Sequence, residues 1–232
     1  MRERIFCIAN SRKHGGHCIA GLTAQGKLIR LCGPSGAALN DADTDVGLME
    51  QPRVLDELDV KLDRHIPDGH QSENWLISAG AIRVTSRPAR SHWSGAIEKT
   101  CEPSSVVLGS NEASISAENA GALGRSLELI RPKDLRAKLR WRPGYPKPQF
   151  RALFGFRGAE YDLPITDPIL ERELRKDKVV LNEEMILPFP PCPRGGAFYA
   201  TVSIGEEYQS GLCYKLIAAV FPVPWWLDRP RI

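Results

Sequence analysis

The sequence predicts a mainly β fold with minor α content, arranged as two small β-barrels in tandem. Short apolar or β-branched runs, separated by glycine, proline and aspartate, recur along the whole chain and are typical of strands. The 232 residues suffice for two domains of about 100 to 130 residues, each with its own core. The best helix start, Thr166-Asp167-Pro168, lies in the second half, because aspartate suits an N-cap and proline the first helical position.

The predicted strands form two groups of similar order. They cover residues 4–9, 17–23, 26–32, 56–63 and 80–86 in the first half, and 150–156, 159–165, 178–187, 196–204 and 212–221 in the second. A short helix is also predicted around residues 46–50, within a long loop at 33–53. A five-strand barrel with one helix inserted midway has the order of an OB-fold, so we predict two tandem OB-like barrels.

Composition suggests where the two barrels separate. Residues 109–125 are rich in serine, alanine, asparagine and glycine and have no strong apolar period, which indicates a linker or a surface excursion. We therefore predict the first OB-like barrel at residues 1–108 and the second, with its inserted short helix, at residues 126–232.

The first turn of the chain, residues 10–17, concentrates basic and hydrogen-bonding side chains between two apolar runs. Its glycines allow positive φ and close approach of a ligand. Its arginine, lysine and histidines supply donors for phosphate or carboxylate oxygens. We therefore predict an anion or nucleic-acid site that includes Ser11, Arg12, Lys13, His14 and His17.

A second basic region spans residues 125–157, where ten lysines and arginines stand against two acidic residues. Aromatic residues are interleaved with them. Proteins that bind single-stranded nucleic acid use cations to neutralise the phosphate backbone and aromatic rings to stack on the bases. In this region we predict that Arg140, Trp141, Arg142 and Arg151 contact the nucleic acid or anion. Arg30, in the first half of the chain, is predicted to contact it as well. The alternative is that Phe150, Phe154 and Phe156 form the buried face of a strand whose arginines face water.

Catalytic and metal sites find less support than binding. No phosphate loop, dinucleotide fingerprint, Gly-x-Ser-x-Gly elbow or His-Glu-x-x-His motif occurs, so we predict no cofactor, catalytic residue or metal site. Two alternatives stay open. One is a protein-interaction adaptor that uses proline-rich loops and tryptophans. The other is a metal-dependent nuclease or nucleotide hydrolase that uses the loop from Ser11 to His17 or the carboxylates of Asp162 and Asp167.

Other features predict a cytoplasmic protein. The apolar runs are far shorter than the roughly 18 residues needed to cross a bilayer, so we expect no membrane contact. The first residues lack the apolar region of a secretory signal. Six scattered cysteines without a Cys-x-x-Cys pair indicate buried, reduced thiols. The net charge of +3 is too small to predict a nucleic-acid ligand by itself.

Several spaced blocks resemble those of the bacterial dual OB-containing family. They are CIANSRKHGGHCIAG at 7–21, GKLIR at 26–30, QSEN at 71–74, YDLPITDP at 161–168, TVSIG at 201–205 and YKLIA at 214–218. The resemblance implies two OB-like barrels, nucleic-acid binding and a part in a prokaryotic conflict or defence system. It leaves room for a partner protein encoded nearby, and it offers no catalytic residues to transfer.

Overall fold

The computed structural model describes residues 1–13, 15–34, 36–44, 51–89, 91–101, 104–141, 147–175, 184–189 and 197–222. Strands dominate this part of the chain and helices are short. The predicted mainly β fold with minor α content is therefore confirmed. Within the described residues, no helix is long and apolar enough to cross a membrane.

Five strands close the first barrel. They are β1 (Arg2–Lys13), β2 (Gly16–Thr23), β3 (Leu28–Cys32), β4 (Glu57–His65) and β5 (Asn74–Ser86). Their order around the barrel is β1-β2-β3-β5-β4, with β3 and β5 parallel and the other pairs antiparallel. This is a five-strand Greek-key barrel of the OB type. A short helix, α1 (Asp41–Thr44), lies between β3 and β4. The helix predicted around residues 46–50 falls outside the described residues.

The chain between the barrels is largely structured. It contains a 3-10 turn (Ser91–Trp93), α2 (Ser94–Thr100), a second 3-10 turn (Val107–Gly109), β6 (Ser114–Ser116) and α3 (Ala117–Leu123). The predicted linker at 109–125 thus holds β6 and α3, and β6 pairs with a strand near the end of the chain. The exact domain boundaries stay a prediction.

The second barrel is built from two four-stranded sheets. Its elements are β7 (Leu127–Ile130), β8 (Lys133–Arg140), β9 (Gln149–Phe156), β10 (Ala159–Pro164), α4 (Pro168–Leu174), β11 (Met185–Pro188), β12 (Phe198–Tyr208) and β13 (Leu212–Pro222). The sheet orders are β10-β9-β8-β11 and β6-β13-β12-β7. A strand was predicted at residues 178–187. Residues 178–183 lie outside the described residues, and β11 covers residues 185–187 of the prediction.

Two connections arrange these sheets around one core in OB order. On one side β7 leads into β8 after two residues, and the second of them, Pro132, has no N–H to continue the ladder. On the other side Ile165 forms a parallel bridge with Ile217, and the Thr166 N–H donates to the Ile217 carbonyl at 2.9 Å. The ring therefore runs β7/β8, β9, β10, β13, β12, with its first strand split in two.

The start of α4 confirms the predicted helix cap. The Asp167 carboxylate accepts the N–H groups of Ile169 at 2.9 Å and Leu170 at 3.1 Å, and Pro168 occupies the first helical turn. Burial raises the pKa of Asp167, and these two hydrogen bonds oppose the rise. The Asp167 carboxylate, which the alternative hypothesis treated as a metal ligand, thus caps the N-terminus of α4.

Strand alternation divides the apolar side chains among three clusters. In β2, Ile19 points into the first barrel, whereas Ala20 and Leu22 point outward. These outward residues join Phe6, Trp93 and their neighbours from the second barrel in a cluster that lies between the barrels. A separate cluster fills the second barrel. The two barrels are therefore packed against each other through a shared apolar core.

The described cysteines, Cys7, Cys18, Cys32, Cys101 and Cys213, form no disulfide; Cys7, Cys32 and Cys213 are buried as predicted, whereas Cys18 and Cys101 are partly buried. Cys7 and Cys213 are buried, and burial raises the pKa of both thiols.

Lys215 is a buried cation in β13. Its side chain is 0% exposed, and its Nζ donates to the Val107 carbonyl at 2.8 Å, the Ser110 carbonyl at 2.6 Å and Ser110 Oγ at 2.9 Å. Burial lowers the pKa of this lysine to about 8, although Glu128 and Glu112 oppose the change. Lys215 thus ties the second 3-10 turn to the barrel at a cost in desolvation.

We expect Lys215 to make a contribution to the free energy of unfolding that rises between pH 8 and 9. In that window the unfolded chain keeps a proton on Lys215 that the folded chain loses, so stability increases with pH, by about 1 kcal/mol at most. The buried thiols of Cys7 and Cys213, whose pKa values are raised, act in the opposite sense as the thiols of the unfolded chain ionise at about pH 8.5 to 9, so the Lys215 contribution is the difference between the wild type and Lys215→Met. Urea denaturation at closely spaced pH values measures the effect. A rise that persists in Lys215→Met would contradict the assignment.

Candidate functional site

A cavity of about 350 Å³ opens where the two barrels meet. The first barrel contributes the β1–β2 hairpin and β3, and the second contributes the β12–β13 hairpin and the residues before α4. Three predicted site residues, Ser11, Arg12 and Arg30, lie in its wall. The cavity therefore joins two regions of the chain that the sequence shows as separate.

Arg30 is the most unusual residue of this wall. Its neighbours in β3, Ile29 and Leu31, point into the first barrel, so alternation directs Arg30 toward the second. It is only 2% exposed. Its Nη1 donates to Asn74 Oδ1 at 3.3 Å and its Nη2 to Ser203 Oγ at 3.0 Å. Its charge is thus held between two neutral acceptors.

Part of the hydrogen-bonding capacity of Arg30 is unused. Its buried Nε has no hydrogen-bond partner in the described part of the chain. No carboxylate among the described residues forms an ion pair with its guanidinium. A buried cation without a counter-charge is costly, and an anion in the adjoining cavity would lower that cost.

Arg12 stands near the end of β1 at the same cavity. Its side chain is exposed, and its backbone N–H donates to the Thr166 carbonyl of the second barrel at 3.1 Å. The hairpin that carries it is more regular than the predicted turn at 10–17. Asn10 to Lys13 pair with Ile19 to Gly16, and the chain reverses at Gly15, whose φ is +82°. Only the tip of the predicted basic loop is therefore a loop, because cross-strand pairing extends into its polar residues.

The other residues predicted in this hairpin differ in position. Ser11 is buried in the cavity wall. His17 lies outside the wall, with its Nδ1 3.0 Å from Asn10 Oδ1. Lys13 belongs to β1, but its side chain lies outside what the structure describes, as does the whole of His14. Among the described side chains of the hairpin, the predicted residues at the cavity are thus Ser11 and Arg12.

Two tyrosines of the cavity wall were not predicted as site residues. Tyr208 and Tyr214 flank the β12–β13 turn and are 60% and 43% exposed. Their ring centroids are 6.2 Å apart with an edge-to-face angle of 74°. Large exposed aromatic rings beside a cavity can stack on ligand rings. The available signal was the sequence YQSGLCY at 208–214, with a tyrosine at each end of a glycine turn.

Carboxylates share the wall with the arginines. Pairing between β12 and β13 is irregular from Ile204 to Glu207, and Glu206 and Glu207 reach the cavity there. The Gly205 carbonyl accepts a hydrogen bond from His70 of the first barrel, with Nε2 and O 2.9 Å apart. The site thus offers cations, aromatic rings and carboxylate acceptors within one small volume.

The predicted basic region lies elsewhere. Arg140 ends β8 and Trp141 follows it, and neither lines the cavity. Arg142 falls outside the described residues. The Arg151 guanidinium is bound to the Asp162 carboxylate, to the Asp162 carbonyl at 2.6 Å and to Gln149 Oε1 at 3.1 Å. Arg151 is therefore occupied by the barrel's own groups.

The aromatic part of the basic-region prediction is wrong for the three phenylalanines. Phe150, Phe154 and Phe156 are at most 2% exposed and lie in the core of the second barrel. Their spacing reflects strand alternation, which is the alternative stated from the sequence. They cannot stack on a ligand at the surface.

The carboxylates considered for metal chemistry have structural partners. Asp162 contacts Arg151 and also lies 3.6 Å from Lys138 Nζ, and Asp167 caps α4. In the part of the chain that the structure describes, no three His, Cys, Asp or Glu side chains come together as a metal-binding group.

Comparison with known proteins agrees with the topology. The family model of the dual OB-containing domain, DuOB, matches residues 3–220, nearly the whole chain. No curated protein matches the sequence. Two barrels of OB order together with a match of this length show that the chain belongs to the dual OB-containing domain family.

Proposed function

We propose that this protein is a cytoplasmic nucleic-acid-binding module with a preference for single strands. The observation that carries the proposal is Arg30, a buried arginine without a carboxylate partner among the described residues, in the wall of the junction cavity. Its buried Nε has no hydrogen-bond acceptor among the described residues, and a phosphate oxygen could serve as one.

The placement of the cavity on the fold supports the same function. OB-folds bind oligonucleotides on strands 2 and 3 and on the loops between strands 1 and 2 and strands 4 and 5. Here Arg30 lies on the third strand of the first barrel and Arg12 on its first hairpin. Tyr208 and Tyr214 flank the turn between the last two strands of the second barrel. Cations and exposed rings are the groups that hold phosphates and unpaired bases.

Fluorescence anisotropy with labelled single-stranded DNA, duplex DNA and RNA at two salt concentrations tests the proposal. We expect the single strand to bind most tightly and its affinity to fall as salt rises, because cations on the protein displace counterions. Arg12→Gln should weaken binding by about five- to tenfold and reduce the salt slope by about one.

Arg2→Gln is the matched control, because Arg2 is also exposed and lies on the same strand. Ten positions of β1 separate it from Arg12, a length of at most about 33 Å. It should leave affinity unchanged. Absence of binding to all three ligands at low salt would reject the proposal and favour the alternative of a protein-interaction adaptor.

The resemblance to the family supports a wider proposal, that the module works in a prokaryotic conflict or defence system with a partner protein encoded nearby. Pull-down from the native host in the presence of nuclease tests the partner. A stable complex that survives nuclease treatment is expected, and recovery of the protein alone would contradict it.

A further inference from the structure

The cavity between the two barrels is too confined to hold a long nucleic-acid strand. Ala20, Leu22 and Arg30 point outward from β2 and β3 and are at most 2% exposed, because α2 and the second barrel cover them. A run of bases therefore cannot lie across this face of the first barrel, as it can on an open OB surface. Access is limited to the cavity at its edge.

The size of the cavity fits one nucleotide. Its volume of about 350 Å³ is at the small end of the roughly 300–1,000 Å³ typical of small-molecule sites. A neighbouring groove, lined by Gly15, Gly16 and Asn40, shares Glu206 with the cavity. A strand whose last nucleotide occupied the cavity could continue along this groove, past the tip of the β1–β2 hairpin.

The polar groups of the cavity are arranged for one phosphate rather than several. Arg30 supplies the buried cation and Arg12 an exposed one. Glu207 also lines the wall and would repel a second phosphate inside the cavity. Its carboxylate can accept hydrogen bonds from sugar hydroxyls or exocyclic amines. The tyrosine pair offers ring faces or edges to a base.

We propose that the cavity holds a single terminal nucleotide of a nucleic acid. Its terminal phosphate lies on Arg30 and Arg12, and its base contacts Tyr208 and Tyr214. This inference rests on the proposed nucleic-acid binding and adds that the protein recognises strand ends. The 5′-phosphate and the 3′-phosphate offer the same chemistry to the arginines, so the test separates them.

The test compares four forms of one short oligothymidylate with the full-length protein. They are linear with a 5′-phosphate, linear with a 3′-phosphate, linear with hydroxyls at both ends, and circular. We expect one phosphorylated linear form to bind at least about tenfold more tightly than the circle, as a charge-assisted contact to phosphate would provide. Thymidine monophosphate should compete for the site, and thymidine should not.

Arg30→Gln should remove the difference between the phosphorylated and circular forms, with folding checked by circular dichroism. If this variant does not fold, Arg12→Gln and Tyr214→Ala replace it, because both side chains are exposed. Each should lower the affinity for the phosphorylated form by about fivefold or more, and Arg2→Gln is the control.

The outcomes distinguish this inference from the proposed function. Equal affinity for circular and linear forms would overturn end recognition and leave nucleic-acid binding intact. Binding of thymidine monophosphate, lost in Arg30→Gln, with no binding of any oligonucleotide would reject the proposed function and uphold the cavity as a nucleotide site. Failure of every probe to bind would reject both.

Discussion

Replacing Trp93 with alanine is expected to lower the free energy of unfolding by about 3 to 5 kcal/mol. Trp93 is 1% exposed and lies in the apolar core between the barrels. Its ring stacks on Phe6 with centroids 6.0 Å apart, and Phe6 in turn meets Phe221 of the second barrel. Its Nε1 donates to Glu57 Oε2 at 3.1 Å. Truncation would leave a cavity at the junction and a buried carboxylate without this donor.

Urea denaturation followed by tryptophan fluorescence and far-ultraviolet circular dichroism measures this loss. His92→Ala, at the neighbouring and largely exposed residue, is the control and should cost less than about 1 kcal/mol. Trp93→Phe should fall between the two, since it keeps most of the packing and loses the hydrogen bond. A loss below about 1 kcal/mol for Trp93→Ala would show that the shared core contributes little to stability.

Glu73→Ala is expected to cost about 3 to 5 kcal/mol and to loosen the contact between the barrels. The Glu73 side chain is buried and accepts three hydrogen bonds at the start of β7. Its Oε1 accepts the N–H groups of Ser126 at 2.7 Å and Leu127 at 2.9 Å, and its Oε2 accepts the Ser126 hydroxyl at 2.9 Å. Alanine would leave two buried backbone N–H groups without their acceptor.

Glu73→Gln discriminates between hydrogen bonding and general packing at this position. Its amide oxygen can still accept both N–H groups, and its amide nitrogen can donate to Ser126 Oγ, so we expect a loss of only about 1 kcal/mol. The neighbouring Ser72→Ala, which removes an exposed hydrogen bond to the Gly124 carbonyl, should cost less than about 1 kcal/mol. Equal losses for the alanine and glutamine variants in thermal or urea denaturation would contradict this explanation.

Local signals were sufficient for several elements. The cap of α4 could be predicted because the Asp-Pro pair acts on backbone groups within one turn. The burial of Phe150, Phe154 and Phe156 follows from period-two alternation alone. The sequence was less informative where pairing with another strand decides whether a segment forms a strand or a loop. Residues 10–13 have a loop-like composition, yet they form strand because residues 16–19 pair with them.

The candidate site depended on contacts between distant parts of the chain. Arg30 could be named from the sequence as a basic residue, but its burial comes from the second barrel, and its partner Ser203 is 173 positions away. The two tyrosines became candidates because they reach the same cavity as Arg30. The guanidinium of Arg151, another predicted site residue, is bound by Asp162, which lies diagonally across the β9–β10 pair.

The sequence by itself determined the β-rich class, the presence of two OB-like barrels, the helix cap and the resemblance to the dual OB-containing family, but it missed the split first strand of the second barrel, β7 and β8. Strand period, turn residues and capping are local properties, so they can be interpreted along one stretch of chain. Only the tertiary structure decided which cations are buried, which are paired and which line a cavity. Those properties depend on the surface that the second barrel removes from water and on residues brought together from both ends of the chain.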